Sequence, residues 1–158
     1  ALGRLQLALL VSLIIGFAAN SSAGNLVGGL EPGDRQFEEF ALGSRLVYFY
    51  ERQIDGVAIE GDFINYQFDA STRRLLARNS HWRDDLPEHL PQIVVSREAA
   101  EAMVAGAIQA SRLVLISPQS AVLPIRPTPA NPCWVVRSEQ GGRITITVID
   151  AVTGKLVV

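Results

Sequence analysis

Two nine-residue stretches, FDASTRRLL from Phe68 to Leu76 and IDAVTGKLV from Ile149 to Val157, follow one formula: apolar, Asp-Ala, any residue, Thr, any residue, basic, Leu, apolar. The formula constrains the fold because its polar members have backbone tasks. An Asp carboxylate accepts hydrogen bonds from N–H groups two or three residues later and closes a turn, and a Thr hydroxyl does likewise. Gly154 supplies the positive φ at which the chain reverses. Arg73 stands at the equivalent place in the first copy, so that turn is expected to be looser. Asp69, Thr72, Asp150, Thr153 and Gly154 are therefore read as structural turn residues. Acids that exchange protons with a substrate would instead face a shared cleft. A chain that reverses twice in this way is built on two strand–turn–strand units.

The flanking pattern extends each unit. Residues 45–78 are rich in aromatic and aliphatic strand formers and predict a meander of three or four antiparallel strands, with a hairpin turn at Asp55-Gly56. Gly61-Asp62 repeats that kind of turn signal. From Phe63 the pattern alternates: Phe63, Asn65 and Gln67 to one side, Ile64, Tyr66 and Phe68 to the other. Near the other end, residues 112–118 predict a strand, and Cys133–Ser138 and Ile144–Ile149 flank a tight turn at Gly141-Gly142. Two helices are expected. Asp34 would cap a short one carrying Phe37, Phe40 and Ala41; Ser96 would cap a longer one whose stripe is Ala99, Ala100, Met103, Val104, Ala107 and Ile108. Pro124, Pro127, Pro129 and Pro132 make 121–132 an extended crossover. The expected fold class is α+β: antiparallel β-meanders each packed with a helix, preceded by an N-terminal apolar signal or anchor helix. The expected divisions are 1–23 signal or anchor, 24–33 linker, and two halves, 34–92 and 93–158.

Composition removes several classes of function. An apolar content of 48% with 19% charged residues is that of a globular chain, and a net charge of −2 gives no basic footprint for nucleic acid. A single cysteine, Cys133, allows neither an internal disulfide nor a zinc site built on paired cysteines. It lies in an apolar strand and reads as a buried, inert thiol. The loop 79–92 gathers His81, Asp84, Asp85, Glu88 and His89, ligand types suited to zinc or manganese. Pro87 interrupts them, and the expectation is a solvated loop with no metal and no cofactor. Neither His-Glu-x-x-His nor Gly-x-Ser-x-Gly occurs, so no catalysis is expected. Arg4, the uncharged run Leu5 to Ala19 and the small residues Ser21-Ser22-Ala23 describe a secretory signal, with cleavage after Ala23. The same run, if retained, would contact a membrane. Export to the periplasm or the extracellular space is expected either way.

The closing stretch, a strand CWVV, a hairpin, a second strand and DAVTGKLV, resembles the PepSY domain, and SREAAEAMVAGA is similar to that family's preceding helix. Upstream, VYFYERQIDGVAIEGDFINYQFD resembles the propeptide module of fungalysin and thermolysin-type proteases, with Gln53, Gly56 and Gly61 at the matching places. The resemblance covers about residues 34–158. In proteases this tandem helps the enzyme fold and restrains it. It therefore implies an exported, noncatalytic protein-binding module, partnered by a secreted peptidase. The alternative is a structural subunit of a membrane complex or extracellular filament, self-assembling and held by a retained N-terminal helix. Type IV pilins share that plan, but Leu5 stands where they carry Glu.

Overall fold

The computed structural model describes residues 38–158; the signal or anchor, the linker and the helix start at Asp34 lie outside the described residues. The elements are β1 (Glu38–Leu42), β2 (Arg45–Ile54), β3 (Val57–Asp69), β4 (Leu75–His81), α1 (Arg97–Ala102), β5 (Ala107–Leu115), β6 (Cys133–Gln140) and β7 (Arg143–Asp150). Backbone pairing joins the seven strands in the order β1-β2-β3-β5-β6-β7, with β4 also on β3. β1–β2, β3–β4, β5–β6 and β6–β7 pair antiparallel, while β3 pairs with β5 in parallel, Ala58 and Ile59 against Val114 and Leu115. Contacts divide the described chain into two compact units. One comprises residues 38–52 with Gly61–Leu86, the other Gln53–Glu60 with Pro87–Val158.

The fold is mainly β, which corrects the α+β expectation: among the described residues there is one helix, of six residues. Both expected helices lost residues to strand pairing. Residues 38–42 form β1, folded back on β2 through Gly43 at φ +61, with Phe40 opposite Val47. A segment this short, stopped by glycine, cannot recover the cost of helix nucleation, whereas pairing satisfies its backbone groups at once. The second helix stops at Met103, and Ala107 already belongs to β5. Between them Gly106 takes φ +91 so close to β6 that a Cβ there would lie 2.5 Å from the Glu139 carbonyl oxygen. That approach admits no helix and only glycine. Met103 and Ile108, expected in the buried stripe, are 51% and 37% exposed.

In the first unit, the meander, side chains from alternate positions of β2 and β3 meet. Leu46, Tyr48, Ile64 and Phe68 form its core, with Tyr50 and Tyr66 against them. Tyr48 and Phe68 meet edge to face at 5.7 Å, and Phe49 stacks on Phe63 at 5.8 Å.

The second unit has apolar clusters on both faces of β5–β6–β7, which is why CWVV is buried without alternation. Cys133, Val135 and Val148 join Ala58, Val114 and Ile116 on one face; Trp134, Val136 and Ile149 join Ala100 and Ala151 on the other. Leu123 and Ile125 of the Pro-rich segment cover the first face, and α1 with Ile93 and Val95 covers the second. The Ser96 hydroxyl caps α1 by accepting the Ala99 N–H at 3.1 Å, and the indole N–H of Trp134 donates to the Val95 carbonyl at 2.8 Å. Each fully buried Val or Ile contributes about 1.5–3 kcal/mol.

Candidate functional site

The repeated phrase forms the same turn in both copies. Asp69 Oδ1 accepts from Ser71 N at 3.0 Å and Thr72 N at 2.8 Å; Asp150 Oδ1 accepts from Val152 N at 2.9 Å and Thr153 N at 2.8 Å. The hydroxyls of Thr72 and Thr153 each accept a backbone N–H, from Arg74 and Lys155, at 3.4 Å. The chain closes through Arg73 N to the Asp69 carbonyl and Gly154 N to the Asp150 carbonyl, both at 2.9 Å. Arg73 at φ 58 adopts the left-handed conformation of Gly154 at φ 71. The first turn is therefore not looser; it holds a non-glycine residue in a costly conformation. Hydrogen bonds from the Ser71 hydroxyl and then the Thr72 N–H hold the Asp69 carboxyl far below the usual carboxylate range. Burial opposes ionisation of Asp150, but the Thr153 N–H, the Asn131 amide and the Val152 N–H outweigh it and lower its pKa. Each carboxylate is occupied by its own turn.

The acids and imidazoles of 79–92 are separated by their partners. His81 ends β4 with Nδ1 2.9 Å from the Gly61 carbonyl oxygen. His89 Nδ1 lies 3.2 Å from Asp55 Oδ1, beside the Leu90 N–H that donates to Asp55 Oδ2 at 2.9 Å. Asp84, Asp85 and Glu88 are exposed. Among the described residues no three of His, Cys, Asp and Glu are grouped to hold a metal. Cys133 is buried, and burial, with Asp150 nearby, pushes its thiol up to about 12, where it is neutral and unreactive.

The arrangement that stands out lies in the meander and was not visible in the sequence. Asp62 is fully buried. Its Oδ2 accepts from Arg52 Nη1 at 3.0 Å and from the Arg83 N–H at 3.1 Å. Arg52 Nη1 also donates to the Arg83 carbonyl at 2.8 Å. His81 Nδ1 lies 3.5 Å from Asp62 Oδ1, which no hydrogen bond reaches. One buried carboxylate thus fixes the guanidinium of Arg52 and the backbone that carries Trp82. The guanidinium sits 4.7 Å over the Trp82 ring, and Trp82 stacks on Tyr50 at 6.2 Å. Trp82 remains 37% exposed. A part-exposed indole and tyrosine, with an arginine locked over the indole, have the chemistry of an interface anchor: large apolar area and little entropy left to lose.

Gly61-Asp62 reads as a turn in sequence, yet β3 runs through it with Gly61 at φ +85. That conformation inside a strand breaks strict alternation, so counting by two from Asp55-Gly56 does not give the face of Asp62. The one usable signal was an acid inside a strand-forming run, which requires a partner when buried.

No family model matches the chain, and no curated protein matches it. Among solved structures it is similar to the Bacillus megaterium YpeB C-terminal domain, at 16% identity and a TM-score of 0.45, over 76% of this chain and 52% of that one. The chain spans about half the length of that structure. No assignment of function follows from the similarity.

Proposed function

We propose that the chain is an exported, noncatalytic protein-binding module, PepSY-like in residues 93–158, that acts on a secreted peptidase as an inhibitor or folding aid. The observation that carries this reading is the Tyr50–Trp82–Arg52 patch, pre-set by buried Asp62. It supports binding because its acid is spent on orientation and its part-exposed groups are the aromatic rings of Trp82 and Tyr50, held by the Arg52 guanidinium over the indole. The Ser96-capped helix, β5, the Pro-rich cover and the β6–β7 hairpin closed by Asp150 supply the element order on which the PepSY reading depends. The propeptide-like reading of 34–92 depends on Gln53, Gly56 and Gly61. Export depends on Arg4 and the Leu5 to Ala19 run; N-terminal sequencing of native material tests it, with a start near Gly24 expected. The functional test is to mix the purified chain with a panel of secreted thermolysin-type metalloproteases and follow both peptidase activity and recovery of active enzyme on refolding. Inhibition or improved recovery of at least one enzyme is expected. No effect on any of them removes the reading.

A further inference from the structure

Residues 116–132 join Leu115 of β5 to Cys133 of β6 with neither helix nor strand. A connection of that length inside a compact unit is uncommon unless it covers or binds something. Here it covers: Leu123 and Ile125 pack against the apolar cluster that holds Cys133, Val135 and Val148. Little fastens the cover. Pro118, Pro124, Pro127 and Pro129 have no N–H to offer. Among the described residues, no backbone hydrogen bond joins 118–131 to a strand. The two that form there are local, from Ser120 N to the Ser117 carbonyl at 3.0 Å and from Ile125 N to the Leu123 carbonyl at 2.7 Å. Of residues 118–131 only Ser120 is buried.

The anchorage at the near end is concentrated in one side chain. Glu60, buried on β3, spends both carboxylate oxygens on the start of the segment. Its Oε2 accepts the Ser117 N–H at 2.8 Å and its Oε1 the Ser120 hydroxyl, whose oxygen accepts the Leu123 N–H at 2.8 Å. Glu60, Ser120 and Leu123 therefore form a relay that sets the turn delivering Leu123 to the apolar face. At the far end the Ala151 N–H donates to the Pro132 carbonyl at 2.9 Å, and the Asn131 amide donates to Asp150 Oδ2 at 3.0 Å. Those bonds secure the point where β6 begins. β5 and β6, in contrast, are paired along most of their length. A segment with few buried contacts and no shared ladder opens at a lower free energy than the sheet beneath it.

We propose that residues 118–131 are a strap, fastened by Glu60 and hinged at Pro132, that swings off the sheet and bares Cys133 while β5, β6 and β7 stay paired. The device does not depend on the Tyr50–Trp82–Arg52 patch, which lies on other elements. Cys133 is the single cysteine of the chain and has no exposed surface, so its alkylation reports opening without ambiguity. The experiment is iodoacetamide labelling of the full chain, followed by mass spectrometry, across urea concentrations below the unfolding transition. At low urea the labelling rate should not change with urea, because a local opening exposes little surface; nearer the transition it should rise with the slope of global unfolding. Ser120→Ala and Glu60→Gln should each raise the urea-independent rate at least about tenfold, since each breaks a buried hydrogen bond that only the closed strap makes. Ala100→Leu, on the opposite face beneath α1, should leave that rate unchanged and speed only the urea-dependent branch. The proposal is overturned if wild-type labelling follows the global slope from zero urea, if neither strap variant raises the urea-independent rate, or if Ala100→Leu raises it as much as they do. Should a variant not fold, the wild-type urea series decides alone.

Discussion

The matched turns at Asp69 and Asp150 place different residues, Arg73 and Gly154, at the same left-handed position, and the consequence is measurable. Arg73 and Gly154 hold the same left-handed conformation, at φ 58 and φ 71. For a residue with a Cβ this costs about 1–2 kcal/mol, while glycine adds about 0.4–1 kcal/mol of unfolded-state entropy that folding must overcome. The net preference for glycine is then about 0.5–1 kcal/mol at each turn. Arg73 also lies near the Tyr48 hydroxyl, so its replacement removes a side-chain contact as well. Comparing Arg73→Gly with Arg73→Ala cancels that loss, since both variants lack the guanidinium. Arg73→Gly should be the more stable by the net figure. Gly154→Ala should lose the same amount, with no added clash, because the new Cβ would meet Val95 Cγ2 at an ordinary 3.5 Å. Gly154→Val should lose more, its β-branch being poorly tolerated at positive φ. Urea unfolding with linear extrapolation and an unchanged m value resolves these differences. If Arg73→Ala equals or exceeds Arg73→Gly in stability, the turn at Asp69 is not left-handed at Arg73 and the reasoning fails.

Glu60 is buried and accepts the Ser117 N–H at 2.8 Å and the Ser120 hydroxyl, so Glu60→Ala should cost about 1–3 kcal/mol in urea unfolding; a neutral result would mean those donors find other partners. Ala100 has no exposed surface and sits against Trp134, Val136 and Ile149, so Ala100→Leu should overpack the helix–sheet contact by about 1–3 kcal/mol, and an unchanged melting temperature would contradict close packing. Asp69 and Asp150 both have folded pKa values below the unfolded value of about 3.9. The stability they contribute is present above that value and lost as pH falls through the folded one. Between pH 5 and about 2 the wild-type chain should therefore lose more stability than Asp69→Asn or Asp150→Asn, and parallel acid profiles would refute the hydrogen-bond account.

What the sequence discloses depends on how local the determining contact is. The turns are written within themselves: their hydrogen bonds run between Asp69 and Arg74 and between Asp150 and Lys155. The β2–β3 reversal is equally local, with Asp55 at φ 51 and Gly56 at φ 79. The length of α1 is not local. Its apolar spacing continues past Met103, but the Glu139 carbonyl against Gly106 and pairing with β6 convert the rest to strand. β1 likewise carries helical spacing and is decided by β2. The Tyr50–Trp82–Arg52 patch is the least legible part. It joins three separated segments through Asp62, whose face is hidden by the positive φ of Gly61, and the histidines at 81 and 89 that drew attention are held by other groups.

The most direct test of the account is calorimetric titration of the full chain, and of its Trp82→Ala variant, into a secreted thermolysin-type metalloprotease that the wild-type chain inhibits or helps to refold. The account predicts saturable binding that Trp82→Ala weakens at least about tenfold, about 1.4 kcal/mol, with the variant still folded and unfolding in the same cooperative transition. Equal affinity of the two chains would contradict a binding surface centred on Tyr50, Arg52 and Trp82.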